Sequence, residues 1–176
     1  FSSAGSLLEK WQTSDTGGGL FCRPTGMAAD SDGNIYVSDM LNSRVQVFSN
    51  TGAFIRTWGS YGIGDGQFLL PLGVAVDRNG NVFVTDSKDR VQVFSNDGIF
   101  LRKWGVRGSG DGEFLAPCSI AIDSFGNVYV ADTGNNRVQV FSSDGTFLRA
   151  FGNFCQSIDS NWDGIPEVSC DGQFYN

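Results

Sequence analysis

Oxygen-bearing side chains cluster in one short segment near the end of the 176-residue chain. Asp159, Asn161 and Asp163 would supply ligands at positions 1, 3 and 5 of a loop, with Gly164 at position 6. Calcium loops have this spacing because the chain wraps around the ion and glycine permits the sharp turn. The segment therefore predicts a calcium site with the ligands Asp159, Asn161, Asp163, Ile165 (through its carbonyl), Glu167 and Asp171.

Two cysteines bracket this segment. Cys155 and Cys170 lie 15 residues apart, and a disulfide between them would close the base of the loop and contribute about 3 kcal/mol by the loop-entropy relation. Such a bond indicates an oxidising compartment, so we predict an extracellular or cell-surface protein. The other two cysteines, Cys22 and Cys118, are interpreted as small buried hydrophobic side chains.

The chain contains no histidine, which excludes a histidine-ligated zinc site, a Ser-His-Asp triad and a histidine general base within these residues. The glycine-rich segments 62–66 and 108–112 are not followed by the Lys-Ser/Thr pair of a phosphate-binding loop, so they are interpreted as turns. We therefore predict a protein that is not an enzyme.

The charge balance limits the partners. Nineteen acidic and 12 basic residues give a net charge of -7, and nucleic-acid recognition needs a concentrated basic patch that this sequence lacks. No segment approaches the roughly 20 apolar residues of a membrane-spanning helix. The sequence thus predicts neither nucleic-acid binding nor membrane insertion, and it favours a protein or glycan partner.

A repeat of 46 or 47 residues organises the chain, and it is marked by Trp11, Trp58, Trp104 and Phe151. Each full copy has four short runs of alternating apolar residues separated by Gly, Asn and Asp, a pattern typical of antiparallel strands joined by tight turns. A lone four-stranded sheet leaves apolar faces exposed, so repeated sheets stack radially as the blades of a propeller. We predict an all-β propeller region over 1–176, with blades at approximately 24–58, 71–104 and 117–151, an outer strand of a preceding blade at 1–11 and an inserted linker at 153–173.

The repeat also resembles a known family. Residues 126–141, read as GNVYVADTGNNRVQVF, are similar to an NHL repeat, and the pattern recurs three times. The resemblance implies a propeller of six blades, with the linkers between blades and the loops between second and third strands on one functional face. Three blades and one strand do not close a ring. We favour a part of a longer propeller; the alternative is that a second copy or another chain completes the ring.

Residues 159–167 resemble the D-x-D-x-D-G-I-P-D unit of thrombospondin type 3 calcium repeats, which again implies calcium. The usual acid at position 12 is replaced by Cys170, so a solvated loop that binds no ion remains an alternative. The segment lies in a linker that is 13 residues longer than its two counterparts.

The leading interpretation is a non-catalytic propeller that binds a protein or glycan or serves as a scaffold, with calcium stiffening the inserted loop. One alternative is a propeller enzyme, such as a calcium-dependent lactone hydrolase or a lyase, with catalytic groups in blades not present here. Another is a structural subunit of an assembly. The predicted binding face comprises Met40, Leu41, Asn42, Ser87, Lys88, Asp89, Thr133, Asn135 and Asn136.

Overall fold

The computed structural model describes residues 19–152, which form twelve β-strands and no α-helix. The first four strands are β1 (Pro24–Ala29), β2 (Ile35–Asp39), β3 (Arg44–Phe48) and β4 (Phe54–Trp58). The next four are β5 (Pro71–Val76), β6 (Val82–Asp86), β7 (Arg90–Phe94) and β8 (Phe100–Trp104). The last four are β9 (Pro117–Ile122), β10 (Val128–Asp132), β11 (Arg137–Phe141) and β12 (Phe147–Phe151).

Each group of four strands forms one antiparallel sheet in which neighbours in sequence are neighbours in space. We call the sheets β1–β4, β5–β8 and β9–β12 the first, second and third blades. In every blade the pairing between the first two strands is interrupted by an irregularity near the proline that begins the first strand. The outer strand predicted at 1–11 and the inserted linker predicted at 153–173 lie outside the described residues.

The blades pack face to face around a common inner edge, because β1 contacts β5 and β5 contacts β9. Two apolar cores fill the spaces between them, one between the first and second blades and one between the second and third. The middle strands of the second blade, β6 and β7, are buried along their whole length. This arrangement confirms the predicted four-stranded blades and their radial stacking.

Aromatic rings repeat at each junction and explain the spacing of Phe and Trp in the sequence. Phe94 lies 5.4 Å from Phe68 of the preceding linker, 6.0 Å from Phe100 of its own blade and 5.9 Å from Trp58 of the first blade, measured between ring centroids. Phe141 makes the same three contacts with the corresponding rings one blade later. The second and third blades therefore each contribute one phenylalanine that joins a linker to two blades.

The turn between the first and second strands of each blade begins with an aspartate that binds the turn. The Asp123 carboxylate accepts hydrogen bonds from the Asn127 side chain, from the backbone amides of Phe125 and Asn127, and from the Tyr129 hydroxyl. These bonds, with that from the Asn127 side chain foremost, lower the pKa of Asp123 to about 2. Asp30 and Asp77 hold the equivalent turns, so the three aspartates are structural.

Two glycines of the third blade provide a matched test of blade packing. Gly145 and Gly126 both have positive φ, 94° and 88°. A Cβ atom at Gly145 would lie 2.8 Å from the Trp104 ring of the second blade, whereas a Cβ at Gly126 would meet nothing within 4 Å.

We expect Gly126→Ala to cost only the backbone strain of a left-handed alanine, about 1 kcal/mol. Gly145→Ala adds the clash with Trp104, which should raise the loss to about 2–4 kcal/mol. Urea unfolding of both variants measures the difference, and equal losses would show that Trp104 does not pack closely on this turn.

No helix among residues 19–152 is long and apolar enough to cross a membrane.

Candidate binding face

The loops between second and third strands lie beside the linkers that enter the same blades. The amide of Leu41 donates to the Cys22 carbonyl at 3.0 Å, that of Ser87 to Leu69 at 2.9 Å, and that of Gly134 to Leu115 at 2.7 Å. We call the surface formed by loops 40–43, 87–89 and 133–136 and by the linkers the loop face. The loop face lies at one end of the described blades, as the resemblance to NHL repeats implied.

The backbone of the loop face is held in an unusual conformation. The last residue of each loop, Ser43, Asp89 or Asn136, has φ between 52° and 59°. The residue before each inner-strand proline is also left-handed, with φ from 51° to 63°, at Arg23, Leu70 and Ala116. Left-handed residues other than glycine cost free energy and persist only where surrounding contacts hold them.

In every blade a buried polar cluster binds the residues that precede these left-handed positions before the prolines. We call it the linker clamp; its members are Asp39, Arg44 and Gln46, then Asp86, Arg90 and Gln92, then Asp132, Arg137 and Gln139. In each clamp the arginine pairs with the aspartate of its own blade at 2.7–3.0 Å. All three glutamines and all three aspartates have no exposed surface.

The second clamp shows how the linker is bound. Arg90 donates to the carbonyls of Ile63 and Gln67, at 2.8 and 3.0 Å, and Gln92 donates to the Gln67 carbonyl at 2.7 Å while accepting from the Gly66 amide at 3.0 Å. Asp86 accepts from the amide of Lys88 at 3.0 Å. The clamp therefore fixes the linker that precedes its own blade.

These contacts assign the repeated Asp and Arg residues to the framework rather than to a ligand site. The Asp oxygens are occupied by linker amides as well as by the arginine, with Cys22 donating to Asp39 and Leu115 to Asp132, both at 2.7 Å. Sequence reasoning missed the role of the glutamines. The signal was present, because an identical Gln stands inside every R-V-Q-V-F run.

The residues predicted for the binding face differ in exposure and in whether their side chains are already hydrogen-bonded. Leu41, Lys88 and Thr133 are exposed and differ in chemistry from blade to blade. Asn42 and Asn135 donate to the clamp aspartates at 2.8 and 2.9 Å, so their amides are already engaged. Met40 and Ser87 are half-buried, and Asn136 is exposed.

Asp89 corrects the prediction, because it is only 5% exposed. Its carboxylate accepts from the Ala116 amide at 2.8 Å and pairs with Arg107 at 3.3 Å. Asp89 therefore joins the second blade to the following linker, and the accessible group at this point is the Arg107 side chain.

The interpretation of Cys22 and Cys118 as buried side chains is wrong, since both are exposed free cysteines. Cys118 lies at the start of an inner strand with its Sγ 2.6 Å from Thr133 Oγ1. Residues 19–152 contain no group of three or more acidic, cysteine or histidine side chains that could hold a metal ion. The predicted calcium ligands and the Cys155–Cys170 pair lie outside the described residues.

Comparison with protein families agrees with this architecture. Residues 21–48 match the model of the NHL repeat, and residues 78–152 match the model of a 6-bladed β-propeller family. The chain is thus similar to the NHL repeat and to a 6-bladed β-propeller family, and its described blades have the propeller fold. A comparison with curated proteins gave no match.

Solved structures with the same fold include a chain of a nidogen/laminin complex. It is 27% identical, with a TM-score of 0.57, and the alignment covers 72% of this chain and 47% of that one. A virginiamycin B lyase from Staphylococcus aureus is 17% identical, with a TM-score of 0.57 and coverage of 73% and 41%. A Bacteroides fragilis protein described as exported is 21% identical, with a TM-score of 0.61 and coverage of 82% and 41%. This propeller chain spans less than half the length of these three structures.

Proposed function

We propose that this propeller is a non-catalytic binding or scaffolding part of an extracellular or cell-surface protein, and that it binds a protein or glycan through the loop face. The proposal rests on one observation: a backbone hydrogen bond between loop and linker recurs in every described blade, whereas the side chain at that position changes. Leu41, Ser87 and Gly134 donate the same amide hydrogen bond to their linkers, yet this position carries an apolar side chain, a hydroxyl and no side chain in the three blades.

The residues that recur beneath the loop face, namely the linker clamps, form hydrogen bonds within the protein. In each clamp the arginine and the glutamine donate to carbonyls of the linker, so these groups are engaged without a ligand. Exposed side chains that vary, such as Leu41 and Lys88, lie outside the clamps and are available for recognition, which is how loops on a rigid scaffold commonly acquire binding function.

Two of the similar solved structures support the proposed extracellular or cell-surface location. One belongs to a nidogen/laminin complex, an assembly of proteins, and it is the most similar in sequence of the three described above. Another is described as exported. Both fit a propeller that meets its partner outside the cell.

Substitution on the loop face tests this proposal. We expect Lys88→Glu combined with Thr133→Arg to weaken binding about tenfold or more, because both changes place new charge or bulk at the contact. The probes are immobilised laminin and a glycan panel, with binding measured by surface plasmon resonance.

The matched control lies at the opposite end of the blades, where Arg78→Glu combined with Ser124→Arg alters exposed turn residues. The control should bind as well as the unaltered chain. The proposal fails if neither probe binds, or if the control loses as much affinity as the loop-face variant.

We further propose that the inserted linker binds calcium through the ligands named from the sequence. Calorimetric titration with Ca²⁺ should show binding to the full chain, and Asp159→Ala combined with Asp163→Ala should abolish it because two carboxylate ligands are lost. Asp32→Ala combined with Asp97→Ala, which removes two exposed turn carboxylates, serves as the control. Retained Ca²⁺ binding in the first variant would contradict the assignment.

A further inference from the structure

The turn between β5 and β6 contains the only Asn-Gly pair of the chain, Asn79-Gly80. In such a pair the amide nitrogen of the glycine can attack the side-chain carbonyl carbon of the asparagine, because glycine has no Cβ atom to obstruct a close approach. The turn belongs to the second blade, which packs against a described blade on each side, and it lies at the end of the blades opposite the loop face.

The Asn79 side chain is available for this reaction. It is exposed and makes no hydrogen bond within residues 19–152. The next asparagine, Asn81, differs, because its side-chain amide donates to Asp77 Oδ2 at 2.8 Å. The asparagines that correspond to Asn81 in the first and third blades are held in the same way.

The other blades show that the turn does not require asparagine at this position. Asp32 stands there in the first blade and Phe125 in the third. In all three blades the amide of this residue donates to the carboxylate of the aspartate two positions earlier, at 2.8–3.0 Å. The amide of the glycine that follows donates to the carbonyl of the same aspartate at 3.1 Å. An aspartate at position 79 would therefore fit the turn with the same backbone.

We propose that Asn79 is a site of spontaneous deamidation. The Gly80 nitrogen gives up its proton to hydroxide and forms a bond to Asn79 Cγ, and the side-chain nitrogen takes up a proton from water and leaves as ammonia. The product is a cyclic succinimide. Water then opens the ring at either carbonyl, which gives aspartate or isoaspartate, and water is the only co-reactant.

The two products should affect the turn differently. Aspartate leaves the main chain unaltered and adds one negative charge, as Asp32 already does in the first blade. Isoaspartate inserts one more carbon atom into the main chain before Gly80. The amides of Gly80 and Asn81, which donate to Asp77 at 3.1 and 2.8 Å, cannot then both keep their bonds. We expect only the isoaspartate form to unfold at a lower urea concentration.

The turn itself controls the rate. Because the Gly80 amide donates to the Asp77 carbonyl at 3.1 Å, this bond must break before the nitrogen can attack. Exposed turns open locally at a much smaller free-energy cost than unfolding of the whole domain. Deamidation should therefore proceed in the folded protein, and it should be faster in the urea-unfolded chain and in mildly alkaline buffer.

Peptide mass spectrometry of the full chain, incubated folded in mildly alkaline buffer, tests the proposal. Deamidation should appear first at Asn79. It should be slower at Asn50 and Asn96, which are exposed turn asparagines followed by Thr51 and Asp97, because the side chains of those residues obstruct the attack. In the matched variant Asn79→Gln the amide is kept on a longer side chain that closes a ring far less readily, so modification of this turn should be lost.

A second measurement separates the products. An isoaspartate-specific methyltransferase should label the incubated protein but not Asn79→Asp, and Asn79→Asp should unfold at the same urea concentration as the unaltered chain. Earlier deamidation at Asn50 or Asn96 would overturn the inference. So would an intact Asn79 in the folded protein under conditions in which a synthetic peptide of residues 77–81 deamidates. Neither result depends on binding at the loop face.

Discussion

Replacing Asp86 by alanine should lower the free energy of unfolding by about 3–5 kcal/mol, which is the usual cost of removing one partner from a buried ion pair. Asp86 and Arg90 are 3.0 Å apart, and their side chains are 1% and 5% exposed. Without Asp86 the guanidinium would remain buried with no counter-charge, and the linker that it holds would lose an anchor. Urea unfolding of the full chain measures the loss.

An exposed ion pair of the same blade is the control. Lys103 pairs with Asp65, but the two side chains are 46% and 50% exposed. Because water screens such pairs, Lys103→Ala should cost less than about 1 kcal/mol. Comparable losses in the two variants would show that the clamp is not the polar framework of the blade.

Phe94→Ala should destabilise the protein by about 3–5 kcal/mol. The ring is fully buried and contacts three other rings, one each from the linker, the first blade and its own blade. Its loss leaves a cavity at a point where three segments meet and none can move in alone. Thermal unfolding followed by tryptophan fluorescence reports directly on this site, since Trp58 packs against it.

Phe125 offers the matched control because its side chain is 90% exposed. Phe125→Ala removes the same atoms from water-facing surface, so the change should stay within about 0.5 kcal/mol. A large loss at Phe125, or a small one at Phe94, would contradict the packing of the blade junction described above.

The blades could be predicted from the sequence because their determinants are local and repeated. Alternating apolar residues set the strands, and turns containing Gly set their ends. The residues at these turns, such as Gly98 and Gly145, do have positive φ. Radial stacking followed because each sheet has two apolar faces to bury.

The binding face could be predicted only in part because its contacts are remote in sequence. Gln92 binds Gly66 and Gln67, 26 and 25 residues earlier, and no local pattern encodes that pairing. Cys118 was misjudged because cysteine is usually buried, whereas this one lies on a strand at the inner edge. Asp89 was misjudged because a polar loop residue is usually exposed, and its partner, Ala116, belongs to the next linker.

The linker clamps have a consequence for how such chains can be divided and duplicated. Because each clamp binds the linker before its blade, the smallest segment that keeps a whole clamp together with its linker begins just after an outer strand and ends with the next one, as from Gly59 to Trp104. A gene duplication or an engineered fusion that respects those cuts transfers a blade with its clamp intact, whereas one that begins at the inner-strand proline separates the buried Arg90 from its linker acceptors.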